Sequence, residues 1–463
     1  MRKHILIITM LALALVSHAQ SKSLHQLQQE FVDLRFGMFI HFNIPTFSTD
    51  DWPDPDMPAT AFYPKRLDCS QWARAAKTAH MTYGCLTTKH HSGFCLWDTQ
   101  STEYNVMNSP LKRDVVREYV DAFRKEGLEV MLYYSILDTH HRLRPHLITR
   151  DKVEMIKLQL RELLTNYGPV RALIIDGWDA PWSRISYDEV PFKEIYDYVK
   201  SLQPECLIMD LNAAKYPREA LFYTDIKSYE QGAGQKISTS ENQLPALACL
   251  SIQRTWFWKE TFPNETLKDP AWLVNENIIP YGSAYCNFIL NVAPNRDGLM
   301  DDNALEALKE IGRLWTNDGH VSDLPPCEAP ITEYNIAKGQ PSESSWSYDY
   351  GIMDFANDDN FESAWYSNTN VQTPFWRVAI DNSRPVDLIT ITEKKGGTIQ
   401  KYRLDYLSDG KWTTLFDGNA PTQSRVKIHR FAPVHADSVR LTIHESNGMA
   451  AISELGVYTP QHP

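Results

Sequence analysis

Short apolar runs alternate with longer amphipathic segments through the first two-thirds of the chain. Eight apolar runs have the length of buried strands, and they lie at residues 36–42, 83–88, 128–134, 171–176, 206–211, 221–225, 248–253 and 286–292. Segments with helical spacing of apolar residues separate several of them, at residues 70–78, 113–125, 152–166 and 192–202. This α/β alternation is typical of βα units around a parallel sheet, and eight strands predict a modified (β/α)8 TIM-like barrel.

A doubly wound open sheet is the alternative arrangement of the same units. Such a sheet normally carries a glycine-rich nucleotide-binding loop after its first strand. Neither GxGxxG nor GxxxxGK[ST] occurs in the sequence. The barrel is therefore favoured.

The pattern changes after a final predicted helix at residues 303–316. Prolines at positions 325, 326 and 330 interrupt it, and short strand-like runs separated by Asp-Gly and Gly-Gly turns follow. We therefore predict a barrel over residues 20–325 and a C-terminal β-sandwich over residues 331–460. Trp365 and Trp376 fall within strand-like runs of this second domain, and we expect them in its core.

The N-terminus has the pattern of a secretory signal peptide. A basic start at residues 2–4 precedes an apolar run at residues 5–16 and the segment Ser-His-Ala at residues 17–19. The apolar run is shorter than the roughly 20 residues that span a bilayer. The sequence predicts cleavage after Ala19, a periplasmic or secreted protein and no membrane span.

Composition narrows the class of partner. The 46 basic and 58 acidic residues give a net charge of -12, which argues against nucleic acid as the partner. The 13 Trp and 22 Tyr suit stacking on sugar rings, although large cores contain aromatics as well. The seven cysteines show no CxxC spacing, so most are interpreted as buried thiols.

Polar residues terminate several predicted strands, where a parallel barrel carries its catalytic groups. They are His41, the pair His90 and His91, and Asp176, with Glu230 further along the chain. Two carboxylates suit glycoside hydrolysis, in which one attacks or stabilises the anomeric carbon and the other protonates the leaving oxygen. A helix-capping role for Asp176 and a divalent metal site remain open alternatives, although no HxxxH or HExxH spacing supports a metal.

Several runs resemble, in sequence and in order, those of α-L-fucosidases of glycoside hydrolase family 29. They are residues 36–41 (FGMFIH), 62–72 (FYPKRLDCSQW), 89–94 (KHHSGF), 124–128 (RKEGL), 175–177 (IDG) and 287–294 (NFILNVAP). The resemblance implies a retaining exo-hydrolase that acts on fucosylated oligosaccharides or glycoconjugates without a cofactor. It implies Asp176 as the nucleophile, His41, His90 and His91 in the fucose subsite, and tryptophans near the sugar's methyl face. The candidate tryptophans are Trp52, Trp178 and Trp256.

The family resemblance leaves two placements for the acid/base. In one subgroup a Glu follows a Lys-containing strand end, which residues 226–230 (IKSYE) resemble. In the other, a Pro-x-Glu segment carries it, and here Leu247 stands at that position. Glu230 is therefore the preferred acid/base, with Glu241 as the second choice. The alternatives are a catalytically impaired glycan-binding protein of the same fold and a metal-dependent hydrolase.

The C-terminal segment is similar to coagulation factor 5/8 type C (discoidin-like) modules. The similar runs are residues 357–365 (NDDNFESAW), 375–378 (FWRV) and 452–455 (ISEL). Such modules bind glycans or serve as a structural cap, and the resemblance leaves both roles open. It also implies a possible structural calcium ion held by Asp354, Asp358 and Asp359.

Overall fold

The computed structural model describes residues 22–347 and 350–460. The predicted signal peptide, residues 1–19, lies outside the described residues.

Eight parallel strands form the barrel, which confirms the predicted fold class. They are β1 Phe36–Ile40, β2 Tyr83–Lys89, β3 Glu129–Ser135, β4 Ala172–Asp176, β5 Leu207–Asp210, β6 Lys227–Glu230, β7 Ala246–Ser251 and β8 Cys286–Asn291. The hydrogen-bonded order is β5-β4-β3-β2-β1-β8-β7-β6. Nearly all residues of these strands are buried, because one face fills the barrel interior and the other packs under the helices.

The helices are α1 Leu24–Leu34, α2 Cys69–Thr78, α3 Val115–Lys125, α4 Arg150–Asn166, α5 Phe192–Leu202, α6 Pro270–Leu273, α7 Ile279–Gly282 and α8 Asp302–Leu314, with a π-helical turn at Val274–Ile278. Helix α1 closes the amino-terminal end of the barrel. Its Leu27 and Phe31 pack against the residues of the barrel interior, and Asn287 of β8 donates a hydrogen bond to the Phe31 carbonyl. Since that end is closed, a ligand has to enter from the carboxyl ends of the strands.

One predicted strand is wrong. Residues 221–225 do not form a barrel strand; instead the Tyr223 amide donates to the Ile331 carbonyl at 2.8 Å, at the start of the second domain. The strand β6 begins at Lys227. The gap between β5 and β6 is bridged by Asp225, whose carboxylate accepts from the Ile208 amide at 2.9 Å. The apolar run at 221–225 is thus buried by the domain contact, which strand-length apolar patterning does not distinguish from a barrel strand.

The C-terminal domain is an antiparallel β-sandwich. Its strands are β9 Ser342–Ser344, β10 Trp365–Tyr366, β11 Phe375–Ala379, β12 Val386–Glu393, β13 Ile399–Ser408, β14 Lys411–Asn419, β15 Val426–Val434, β16 Ser438–Ser446 and β17 Ala451–Tyr458. One sheet has the order β10-β17-β12-β15 and the other β14-β13-β16-β11-β9. Trp365 and Trp376 are fully buried between the sheets, as predicted.

The two domains share apolar packing. Phe361 of the sandwich meets Tyr216 and Phe222 of the barrel, at ring-centroid distances of 5.5 and 6.1 Å. Leu388 and Tyr458 belong to the same continuous apolar cluster as the barrel helices. Within the described residues, no helix is long and apolar enough to cross a membrane.

Candidate active site

A cavity of about 200 Å³ opens at the carboxyl ends of the barrel strands. It is smaller than the roughly 300–1,000 Å³ of pockets that hold drug-sized ligands. Seven residues singled out from the sequence line it: His41, Trp52, His90, His91, Asp176, Glu230 and Trp256. The size of the cavity and its lining of aromatic and polar side chains suit a single sugar ring.

Asp176 is the last residue of β4 and is only 4% exposed. Its Oδ2 accepts a hydrogen bond from the Tyr133 hydroxyl at 2.7 Å, and its Oδ1 accepts one from the Asn212 amide at 2.9 Å. Burial raises the pKa of Asp176, while these hydrogen bonds and one from the Gly177 amide oppose the rise. The carboxylate is thus held in one orientation by donors from β3 and from the segment after β5.

Gly177 turns the chain directly after this carboxylate. Its φ is +110°, and an added Cβ would lie 2.9 Å from the Leu137 backbone nitrogen. A side chain is therefore excluded both by conformation and by space. The Asp-Gly pair places the carboxylate at the end of the barrel.

Glu230 ends β6 on the same cavity. Burial and the nearby charge of Asp176 raise its pKa to about 7, against a hydrogen bond from the Trp256 side chain that lowers it. The protonated form is therefore favoured at Glu230 more than at an exposed glutamate, whereas at Asp176 several hydrogen-bond donors counteract the effect of burial. Two carboxyl groups whose surroundings push their pKa values apart are typical of an acid paired with a nucleophile.

The three predicted histidines are buried together at the cavity wall. Burial lowers the pKa of His41 and of His91 to about 3, and it lowers that of His90 well below the usual range. They are neutral at ordinary pH, so they interact with a ligand as hydrogen-bonding groups and not as cations.

The partners of two histidines assign their tautomers. The Ser135 hydroxyl donates to the Leu137 carbonyl at 2.8 Å, so it accepts from His91 Nδ1 at 2.7 Å. The Asn291 Oδ1 can only accept, and it lies 2.8 Å from His41 Nδ1. Both rings therefore carry the proton on Nδ1 and present Nε2 as an acceptor.

Asn291 is a positioning residue that the sequence reasoning did not single out. Besides holding His41, it donates to the Ser251 hydroxyl at 3.0 Å and to the Trp256 carbonyl at 2.8 Å. It lies in the run 287–294 that carries the family resemblance, which was the available signal.

Sequence reasoning also missed further lining residues: Phe39, Asp51, Tyr133, Trp182 and Leu211. Tyr133 lies one residue before the predicted end of its strand at residue 134, and that position was a signal that could have identified it as a lining residue. Trp182 lies in the segment after β4, outside any motif, and is 42% exposed. Its ring meets Trp52 at 5.4 Å and His91 at 4.3 Å.

Two of the sequence candidates lie away from the cavity. The placement of Trp178 near the sugar is wrong, because its ring is fully buried against Phe192 and its indole nitrogen donates to the Val190 carbonyl at 2.9 Å. Glu241, the second choice for the acid/base, is exposed and pairs with Arg218 at 2.5 Å. Of the two glutamates considered as acid/base, Glu230 is thus the one that lines the cavity with Asp176.

The described residues contain no group of three or more His, Cys, Asp and Glu side chains arranged to hold a metal ion. Of the three aspartates considered for calcium, Asp354 accepts from Ser342, Asp358 from Ser363, and Asp359 from Lys338. Calcium binding there stays a prediction. The seven cysteines are unpaired thiols, and six of them are buried.

A parallel barrel with two facing carboxyl groups at its carboxyl end, in a pocket of sugar size, defines the class of glycoside hydrolases. The α-L-fucosidase family model matches residues 14–320, and the F5/8 type C domain model matches residues 340–455. The chain therefore belongs to the α-L-fucosidase family, glycoside hydrolase family 29, and carries an F5/8 type C domain.

Similar proteins agree with this assignment. Alpha-L-fucosidase 1 of Arabidopsis thaliana is 26% identical over 91% of this chain and 84% of its own length. The tissue alpha-L-fucosidase of Mus musculus is 24% identical over 65% of this chain and 72% of its own length. In fold, the chain is similar to alpha-L-fucosidase isoenzyme 1 of Paenibacillus thiaminolyticus, with a TM-score of 0.53 and 24% identity over 91% of this chain and all of that one.

Proposed function

We propose that this protein is a retaining exo-α-L-fucosidase that removes terminal α-L-fucose from oligosaccharides or glycoconjugates. The observation that carries the proposal is the pair Asp176 and Glu230 on one cavity: burial raises the pKa of both, but three hydrogen-bond donors oppose the rise at Asp176, while the charge of Asp176 adds to it at Glu230. The small, closed-ended pocket supports cleavage at a chain end, because it has room for one sugar ring.

The proposed reaction is a double displacement. Ionised Asp176 attacks the anomeric carbon while Glu230 donates its proton to the leaving oxygen. A water molecule then attacks the glycosyl-enzyme and gives its proton to Glu230, which restores both groups. This sequence predicts that the two carboxyl groups come within about 5–5.5 Å of each other in a substrate-competent state.

The neutral histidines would bind the sugar hydroxyls. Nε2 of His91 lies 3.7 Å from Oδ2 of Asp176, so two acceptors face each other. A sugar hydroxyl between them can donate to one of the two, which holds the anomeric carbon beside the nucleophile. Trp52 and Trp256, which stack on His91 and His41, offer apolar surface for the methyl face.

Azide rescue tests the two roles separately. Glu230→Ala should slow turnover of an unactivated fucoside by about 10²–10⁴-fold, while an aryl fucoside with a good leaving group still forms the glycosyl-enzyme. Azide should then release that intermediate as the α-fucosyl azide. With Asp176→Ala, azide can only enter directly and gives the β-azide. Wild-type rates for Glu230→Ala on both substrates would exclude Glu230 as the acid/base.

A screen of fucosylated oligosaccharides decides between hydrolysis and glycan binding alone. We expect release of fucose from at least one substrate with α-linked fucose on galactose or on N-acetylglucosamine. Binding without release, together with no turnover of activated aryl fucosides, would support the catalytically impaired alternative.

A chelator distinguishes the metal-dependent alternative. EDTA should leave turnover unchanged, since the proposed steps use only carboxyl groups. If Asp354, Asp358 and Asp359 hold calcium in the sandwich, EDTA should lower the melting temperature without changing kcat. Loss of activity that zinc or calcium restores would contradict the proposed mechanism.

We also propose that the protein is exported to the periplasm or the medium. The pattern at residues 1–19 supports this proposal. N-terminal sequencing of the exported protein should begin at Gln20. An intact N-terminus on protein that stays in the cytoplasm would contradict it.

A further inference from the structure

Asn212, in the segment that follows β5, donates a hydrogen bond to the proposed nucleophile, Asp176. The Asn212 amide donates to Oδ1 of Asp176 at 2.9 Å, and the Asn212 backbone nitrogen donates to Oδ1 of Asp210 at 2.9 Å. A short 3-10 turn, Ala213–Lys215, comes directly after it. The position of Asn212 therefore depends on the contacts that fix the end of this turn, at Lys215.

Lys215 provides a charged anchor at the end of that turn. Its ammonium contacts the carboxylate of Asp179, which lies three residues beyond the nucleophile on the segment after β4. It also lies 3.6 Å from Oδ2 of Asp359, which belongs to the C-terminal sandwich. One cation thus joins the two segments that carry Asp176 and Asn212 to the second domain.

Asp359 is itself held firmly in the sandwich. Its Oδ2 accepts from Lys338 at 2.8 Å, and its backbone nitrogen donates to Oε2 of Glu454 at 3.1 Å. Glu454 is 2% exposed on β17, and its other oxygen accepts from the Asn335 amide at 2.8 Å. The Asp359 carboxylate, whose side chain is 13% exposed, is therefore a fixed partner and not a mobile surface charge.

Apolar packing beside this bridge keeps water away from it on one side. The ring of Tyr216, next to Lys215 in the chain, packs edge-on against Phe361 of the sandwich, and the Lys215 ammonium lies 4.7 Å from the Tyr216 ring centroid. Partial exclusion of solvent makes an ion pair stronger than a fully exposed one. A long side chain held by two carboxylates also has less freedom to move.

We propose that Lys215 is a positioning residue for hydrolysis and that the sandwich serves the active site through its contact with Asp359. The bridge holds the segment after β5 so that the Asn212 amide meets Asp176. The inference rests on the proposed role of Asp176. It assigns the C-terminal domain a part in the reaction besides any glycan binding.

The first test is the effect of Lys215→Met, which keeps the apolar stem and removes the charge. On an activated aryl fucoside, kcat/KM, which includes the attack by Asp176 but not the later hydrolysis of the glycosyl-enzyme, should fall by about tenfold to 100-fold, as expected for a group displaced by about 1 Å. KM should change little, and Lys215→Arg should restore most of the rate. Asp359→Asn should act in the same direction but more weakly, because the Asp179 contact persists.

A pH profile distinguishes positioning from general destabilisation. A donated hydrogen bond lowers the pKa of a carboxyl group, so losing the Asn212 contact should raise that of Asp176. The acidic limb of kcat/KM should therefore move to higher pH in Lys215→Met. The other titratable groups around Asp176 include Tyr133, His91, Asp210, Glu230 and Cys249, and none of them is altered by this substitution.

The decisive measurement is a double-mutant cycle with Asn212→Ala. If Lys215 acts through Asn212, Lys215→Met should cause little further loss in the Asn212→Ala background. Lys394→Met is the matched control, since Lys394 also retains 30% side-chain exposure but pairs with Glu362 within the sandwich; it should leave kcat and the pH profile unchanged.

If Lys215→Met lowers the rate equally in the wild-type and Asn212→Ala backgrounds, the positioning role is refuted. It is also refuted if the acidic limb of kcat/KM does not move in Lys215→Met. If Lys215→Met does not fold, Asp359→Asn carries the same test from the sandwich side. A wild-type protein that hydrolyses no fucoside would refute the proposed function instead, so the two failures are distinguishable.

Discussion

At the scale of single residues, the two carboxyl groups differ by what surrounds them. Asp176 accepts hydrogen bonds from Tyr133 and Asn212, which favour its ionised form. Glu230 is buried near that negative charge, so its protonated form is favoured up to about pH 7. The proposed division of roles, with Asp176 as nucleophile and Glu230 as acid/base, rests on this difference in surroundings and not on the residue types.

The pKa of Glu230 predicts how activity depends on pH. If Glu230 is the general acid, it has to be protonated, so kcat/KM should fall as the pH rises through about 7. Glu230→Gln should abolish this basic limb as well as most of the rate on unactivated substrates. Glu241→Gln, at the exposed ion pair with Arg218, is the control and should leave the profile unchanged. A basic limb that persists in Glu230→Gln would assign it to another group.

Substitutions of Trp178 and Trp182 should separate an effect on protein stability from an effect on substrate binding. Trp178→Ala removes a fully buried indole and should cost about 3–5 kcal/mol of unfolding free energy, measured by urea denaturation. Trp182→Ala removes a half-exposed ring at the cavity rim and should raise KM while leaving the urea midpoint nearly unchanged. The reverse pattern would show that Trp178 and not Trp182 contacts the substrate.

At the scale of elements, Asp225 completes the ring of strands. The Asp225 backbone nitrogen donates to the Ile208 carbonyl on β5, and the Asp225 carboxylate accepts from the Ile208 amide. The same carboxylate accepts from the Tyr196 hydroxyl at 2.7 Å and pairs with Lys200 at 2.9 Å. Its own backbone carbonyl accepts from Gln28 of α1. A single buried carboxylate thus joins β5, α5 and the segment before β6.

We therefore expect Asp225→Ala to destabilise the barrel strongly. Removing one partner of a buried ion pair costs roughly 3–5 kcal/mol, because the remaining polar groups lose their partners. Urea unfolding followed by tryptophan fluorescence would measure this loss. Asp197→Ala removes a half-exposed carboxylate that pairs with Lys193 on the same helix α5, and it should change stability by less than about 1 kcal/mol. Similar small losses in both variants would refute the bridging role.

At the scale of the whole molecule, the barrel and the sandwich share one continuous cluster of apolar side chains. Phe361, Leu388 and Tyr458 of the sandwich join the cluster that covers the barrel strands. Without the second domain, Tyr216 and Phe222 would lose their partner Phe361. The structure thus favours a supporting role for the sandwich, whether or not it also binds glycans.

Deletion of residues 331–463 should accordingly impair the enzyme. We expect a lower melting temperature, weaker solubility and reduced turnover of an aryl fucoside, since buried aromatic surface becomes exposed. Calorimetry and activity measured on the soluble fraction would check this. A soluble barrel with wild-type kcat and melting temperature would show that the sandwich is only a binding module.

The sequence alone predicted the α/β barrel, the following sandwich and the position of Asp176 at a strand end, because alternation of apolar and polar positions is a local property. Helix α3 and strand β2 lie close to their predicted bounds for that reason. Only the tertiary structure decided that Trp182 and not Trp178 faces the cavity, that Glu230 and not Glu241 faces Asp176, and that residues 221–225 pack against the second domain. Each of these depends on contacts between residues far apart in the chain, and the direction in which a side chain leaves a loop is set by such contacts and not by its neighbours in sequence.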